Sequence, residues 1–323
     1  MPILNSATFQ YRYGTPWLGS KSRICERVVA ALPPAPVFVD LFFGGGAVSH
    51  CYAYRRRPAV IIGNDVDGRG QSAFLAGLRN PPPPEWIEYG HQREAPEPWI
   101  ECAFSFAGRA GKSYFCAPEL EKWQRNLYDY LTGRTTGVIL EQMAGVDVKA
   151  GFVRGQLLRN YQEARLKIAD WMLSHGYPIG RIKEYSAKMI AGCQPFSIWQ
   201  RLCAISERFP CDCELRLTND DYASVEIPKG AVVYADPPYA GTTGYGREFD
   251  SARLWDYVRR SPALVVVSEL SAPPDFVCVR EIGLRYALAN ASGHGRNVSE
   301  RLFVHSSKFA AYNAAMGLLD YGR

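Results

Sequence analysis

Three short apolar runs, at residues 37–43, 59–63 and 231–235, each lead into turn or loop residues. Their length and their richness in Val, Ile and Phe predict strands buried on both faces, as in a parallel sheet. A fourth run at 263–267 follows a helical pattern around 254–260, and 276–280 and 301–305 read as late strands able to pair. Ahead of the first run, Ile24, Val28, Ala31 and Leu32 share one helical face, with Ser22 placed as N-cap. Behind it, 48–57 fits a crossover helix that Pro58 stops. This alternation predicts an α/β fold with a doubly wound, mostly parallel sheet.

The middle of the chain has a different rhythm. Four prolines at 81–84 read as a linker. Beyond them come helical patterns without strand alternation. Pro118 opens one carrying Leu120, Trp123, Leu127 and Tyr130. A second carries Leu157, Ala164, Ile168 and Trp171, and a third Ile198, Leu202, Ile205 and Phe209. The expected organisation is a catalytic α/β domain built from 1–80 and 216–323, split by a mainly helical insertion at 81–215.

Composition narrows the class. Hydrophobic residues make up 47% of the 323 and charged residues 21%, and no run of 18 apolar residues occurs. A membrane-spanning or disordered chain is therefore not expected, and no basic segment precedes an apolar run at the N-terminus to suggest a signal peptide. The nine cysteines are odd in number and form no CxxC pair, which fits reduced cytoplasmic thiols rather than zinc or a disulfide framework. No metal site is expected.

A net charge of +5 permits a polyanionic partner. The charge is concentrated: residues 149–208 hold ten Lys or Arg against four acids, interleaved with aromatics such as Phe152, Tyr161 and Trp171. Phosphate contacts and base stacking use that combination. Residues 81–147, with ten acids against six bases, are poorly suited to track phosphates.

Two turns carry chemistry. The first strand runs into Asp40-Leu-Phe42-Phe-Gly44-Gly45-Gly46, and Asp65 follows the second strand 21 positions after Gly44. A glycine turn between strand and helix lets backbone approach a ligand, and an acid about 20 residues on can bond a ribose hydroxyl. The GxGxxG dinucleotide spacing fails, because its third glycine falls on Ser49. The second turn is Asp236-Pro237-Pro238-Tyr239 at the tip of the 231–235 run. A carboxylate, proline carbonyls and a flat aromatic face around one point suit a planar group bearing an exocyclic NH2. His50 reads as helix packing rather than a base.

With these turns in order, the chain resembles the Dam-like (D12) class of DNA adenine N6-methyltransferases, especially phage-encoded members. Pro16-Trp17-Leu18-Gly19-Ser20-Lys21 looks like the family's N-terminal cofactor motif, and Phe42, Gly44 and Gly46 stand in register with its Phe-x-Gly-x-Gly motif. Asn64-Asp65 looks like the ribose-binding acid. Asn219-Asp220-Asp221-Tyr222 resembles the motif at the cofactor's adenine, and Asp236–Tyr239 the catalytic motif. Runs 265–269 and 295–300 resemble its later strand and penultimate loop.

The resemblance implies a Rossmann-like class I methyltransferase domain and S-adenosyl-L-methionine as methyl donor. It implies transfer to N6 of a flipped adenine, with target recognition in the insertion. Carried over residue by residue, Asp236, Pro237, Pro238 and Tyr239 are catalytic. Trp17, Gly19, Lys21, Asp40, Phe42, Gly44, Gly46, Asp65, Asp221 and Tyr222 hold the cofactor. By family position Tyr245 and Arg296 meet DNA, and the basic stretch of the insertion offers Arg154, Arg159, Lys183 and Lys188 as further DNA contacts. DNA is the expected partner, with no membrane and no obligatory protein partner, in the cytoplasm of a bacterial or phage-infected cell. Cytosine N4 in DNA or adenine in RNA are the alternative substrates, though relatives acting on cytosine more often carry Ser where Asp236 stands. A catalytically inactive nucleic-acid-binding scaffold is the alternative from another class; the intact Asp236, Tyr239, Gly44 and Gly46 weigh against it.

Overall fold

The computed structural model describes residues 13–17, 19–105, 113–114, 121, 124–125, 128–129, 132, 134, 193–238, 249–285 and 297–317. The chain divides into two units, Met1–Tyr11 with Pro81–Gln200, and Arg12–Asn80 with Arg201–Arg323.

The second unit is built on a seven-stranded sheet. Its strands are β1 (Val37–Asp40), β2 (Val60–Asn64), β3 (Glu214–Thr218), β4 (Val232–Ala235), β5 (Leu264–Glu269), β6 (Phe276–Arg285) and β7 (Asn297–His305), in the order β3-β2-β1-β4-β5-β7-β6. The pairs β3/β2, β2/β1, β1/β4 and β4/β5 are parallel, while β7 is antiparallel to both β5 and β6. The doubly wound, mostly parallel expectation holds. From β1 the chain moves outward through β2 to β3, then returns to place β4 on the other side of β1. The order therefore reverses between β1 and β4, the point at which such sheets open a crevice for ligands.

Among the described residues, the crossovers and flanks of this unit include α1 (Cys25–Ala30), α2 (Ala47–Arg56), α3 (Arg69–Leu78), α6 (Ser251–Arg260) and α7 (Phe309–Ala315). In the first unit, α4 spans Pro98–Phe104, and α5 (Gln194–Arg208) continues from there into the second unit.

Burial explains the layers. On one sheet face Val39, Val233, Val265 and Phe303 pack with Leu254, Trp255 and Val258 of α6. Those three helix side chains contribute roughly 1.5–3 kcal/mol each by leaving water. The helix starts where Asp250 accepts from Arg253 N at 2.9 Å, a side-chain N-cap. Elsewhere Phe38 of β1 stacks on Tyr52 of α2 with ring centres 3.9 Å apart.

The boundaries differ from the sequence pattern in instructive ways. The first run was expected to be strand through Phe43, yet β1 ends at Asp40. Phe43 N turns to Asn64 O at 2.8 Å, and Gly46 N closes on Phe43 O at 2.7 Å, so the last three residues form a turn. Ser22 caps nothing. Ser20 caps the 3-10 turn Lys21–Arg23, and α1 begins beyond Ile24 without a side-chain cap. β6 and β7 are longer than expected. In the first unit, Trp86, Phe104, Tyr114 and Tyr128 form an aromatic cluster, and Trp199 Nε1 donates to Pro81 O at 2.8 Å. The helical pattern at 157–171 and most of that at 118–130 lie outside the described residues.

Candidate active site

Glycine decides the path from β1 into α2. Gly44 (φ 50°) and Gly46 (φ 68°) are in the left-handed region, which side chains resist. Gly46 is the N-cap of α2. The turn is also walled on two sides. A Cβ on Gly44 would meet the Trp17 ring at 2.8 Å, and one on Gly70 of α3 would run into the Gly44 carbonyl. Asp65, at the tip of β2, accepts from Gly44 N at 2.7 Å and from Asp67 N at 2.8 Å. Its carboxylate therefore braces the turn.

Residues 13–17 lie along this turn as a strap. Thr15 N donates to Gly45 O at 2.7 Å, and Gly14 N donates to His50 Nδ1 at 3.2 Å. Arg201 of α5 donates to the carbonyls of Tyr13, Gly14 and Thr15 at 3.0, 2.8 and 3.0 Å. His50 is fully buried, edge-on to Tyr13 and Phe74. Burial pushes its pKa down to about 3, with Arg208 and Arg201 adding to the shift. It is a neutral packing residue, as the sequence suggested.

Parallel pairing sets two acids side by side. Asp40 of β1 pairs with Tyr234 of β4, so Asp236 emerges two residues further along β4, beside the end of β1. Asp40 is buried, with Oδ2 accepting from Ser49 Oγ at 2.7 Å and Oδ1 from Phe42 N at 3.4 Å. Burial raises its pKa to about 7; the Ser49 bond opposes the rise and the Asp236 charge adds to it. Asp236 is 17% exposed, and its Oδ1 accepts from Lys21 Nζ at 2.6 Å. Burial lifts its pKa to about 6 against the pull of the Lys21 ammonium. Pro237 is buried and Pro238 half-buried. Two successive prolines remove two N–H donors and leave the carbonyls as acceptors.

The far side of the turn is aromatic. Phe42, Tyr222 and Phe249 meet with centroids 5.4–6.1 Å apart. Tyr222 also lies under the Arg253 guanidinium, 5.1 Å from the ring centre. Asp221 is exposed. Arg253 grips it bidentately at 2.7 and 2.9 Å, and it caps the turn Tyr222–Ser224 by accepting from Ala223 N. The Arg253 bond holds its pKa below the ordinary value. Asn64 ties the β2 and β3 tips together. Its amide donates to the carbonyls of Leu41 and Asp220, and its oxygen accepts from Thr218 Oγ1 and Asp220 N.

The family model for D12 class N6 adenine-specific DNA methyltransferases matches residues 17–74. Over that span the chain is similar to the D12 class. That family indicates a DNA adenine-N6 methyltransferase, with S-adenosylmethionine as the expected methyl donor. The matched span runs from Trp17 through Phe74, so it takes in Lys21, Asp40, the glycine turn and Asp65, and stops before β4. No curated protein matches the chain.

Thirteen of the residues picked from the sequence are among the described ones, all in the second unit. Trp17, Lys21, Asp40, Phe42, Gly44, Gly46 and Asp65 surround the turn after β1. Gly19, exposed at φ 74°, precedes Lys21. Asp221 and Tyr222 follow β3, and Asp236, Pro237 and Pro238 follow β4. Tyr239, Tyr245, Arg154, Arg159, Lys183, Lys188 and Arg296 lie outside the described residues. Sequence reading missed Gly14, Gly70 and Arg201. A glycine near the start of a helix, as at 70, was the available signal for one of them. Arg201 is 187 positions from Gly14 and carried none. No helix among the described residues is long and apolar enough to cross a membrane.

Proposed function

We propose that Asp236 and the Pro237 carbonyl accept the two hydrogens of a target adenine's amino group and so prepare N6 for in-line methyl transfer. The supporting observation is the position of Asp236 at the switch between β1 and β4, next to the glycine turn and held by Lys21 at 2.6 Å.

The surrounding groups fit S-adenosylmethionine. The donor's amino-acid end bears an ammonium and a carboxylate, and Asp40 and Lys21 offer the opposite charges. Each oxygen of Asp65 accepts one backbone N–H, which leaves a further lone pair on each for ribose hydroxyls. Phe42, Tyr222 and Phe249 give an apolar wall for the adenine, with Asp221 at its rim. When bound, the donor would supply an electrophilic methyl carbon to the amino nitrogen that Asp236 and the Pro237 carbonyl hold.

The protein's part is preparation. The N6 lone pair is delocalised into the ring, and two acceptors on the amino hydrogens favour a more tetrahedral nitrogen. An ionised Asp236 also stabilises the positive charge that grows on N6, and fixing N6 in line with the methyl adds proximity. The base leaves the duplex to reach this site, and Tyr239 stacks on it. Arg154, Arg159, Lys183 and Lys188 in the 81–215 insertion, with Tyr245 and Arg296, contact the DNA. In-line transfer at one site needs a single chain, acting in the cytoplasm of a bacterial or phage-infected cell.

Asp236→Ala tests this reading. We expect methyl transfer from labelled S-adenosylmethionine to DNA to fall by at least about 100-fold, with cofactor affinity by calorimetry retained. An active Asp236→Ala enzyme rules out the role.

A further inference from the structure

Glu300 stands on β7 with only 2% of its side chain exposed, and no step above uses it. A carboxylate so buried is costly unless it is hydrogen-bonded and paired. Both conditions are met here. Ser268, on the adjacent strand β5, donates its hydroxyl to Glu300 Oε1 at 2.6 Å. That bond turns the other oxygen, Oε2, to within 3.7 Å of Lys21 Nζ. The same ammonium meets Asp236 Oδ1 at 2.6 Å and is itself only 8% exposed. One buried cation is thus shared by two carboxylates, the nearer of them Asp236.

We infer that Glu300, clamped by Ser268, is a positioning residue for methyl transfer: it holds the Lys21 ammonium between two carboxylates and so sets how strongly Asp236 accepts from the target amino group. The inference rests on the role of Asp236 given above. A cation bonded to Asp236 alone would draw off the charge that N6 needs. A second carboxylate offsets part of that pull while keeping the lysine in place. The groups facing Asp236 are Lys21 from the 3-10 turn, Asp40 from β1, Tyr234 from β4, Glu269 from β5 and Glu300 from β7. Of these, Lys21 favours the ionised form of Asp236 and Glu300 opposes it.

The test is the pH profile of kcat/KM for the full chain, for wild type, Glu300→Gln and Glu300→Asp, with S-adenosylmethionine affinity measured alongside. Glu300→Gln keeps the shape and removes the charge, leaving Lys21 to Asp236. We expect its acid limb to move to lower pH and its kcat to fall about 10- to 100-fold, with cofactor affinity retained. Glu300→Asp keeps the charge but draws it back from Lys21. Its limb should move part of the way, and it serves if the Gln variant does not fold. A purely structural role would change the rate or the melting temperature and leave the limb in place. Limbs of both variants that coincide with wild type overturn the inference. A wild type that makes no N6-methyladenine overturns the reading beneath it; an active wild type with unshifted variants overturns this inference alone.

Discussion

Asp40, Asp236 and Glu269 are carboxyl groups held in the second unit with pKa values raised to about 7, 6 and 7, in each case chiefly by burial. Their ordinary values lie near 4, so the folded protein keeps protons that the unfolded chain gives up. Stability from this source is full below about pH 4 and is lost as pH rises through the folded values. For Asp40 the shift from 3.8 to about 7 sets an upper bound of about 4 kcal/mol. Without cofactor, the wild type should therefore melt at higher temperature as pH falls from 8 towards 5. Asp40→Asn cannot ionise and should lose part of that rise, which thermal unfolding at a series of pH values measures. An unchanged pH dependence in Asp40→Asn would mean that Asp40 is already ionised in the folded protein. Methyl transfer runs the other way. It needs ionised Asp236 and should decline as pH drops through about 6.

At the scale of elements, the strands that line the crevice were legible and its supports were not. β1, β2, β4 and β5 are apolar runs with abrupt ends, because they are buried on both faces. β3 was missed because Glu214-Leu-Arg-Leu-Thr218 is a half-buried edge strand whose charged residues hide it. α3 was missed because it opens with Arg69-Gly70, a poor helix start. That glycine has a steric reason, since only a hydrogen fits against the Gly44 carbonyl. The turns at Gly44 and Asp236 could be read because Gly and Pro encode backbone geometry locally. The strap at 13–17 could not, because its fixing group, Arg201, comes from α5. Arg201→Ala removes a charged donor to three carbonyls. We expect a loss of about 3 kcal/mol in unfolding free energy and a raised KM for S-adenosylmethionine. Wild-type values for both would show that the strap is held without it.

For the whole molecule, composition and structure speak to different halves of the task. The unit containing Arg12–Asn80 and Arg201–Arg323 carries the residues expected to bind the donor and prepare the amino group. The basic, aromatic stretch at 149–208 was legible as charge alone, since residues 149–192 lie outside the described residues. Its sequence has no turn chemistry comparable to Asp-Pro-Pro-Tyr, so it announces a polyanion without naming a target sequence. The chemistry, by contrast, predicts a specific product. The most direct measurement is to incubate the purified chain with S-adenosylmethionine and unmethylated DNA, digest the DNA to nucleosides, and identify the methylated base by mass spectrometry. The account predicts N6-methyladenine. N4-methylcytosine, or no methylated base while S-adenosylmethionine still binds, would contradict it.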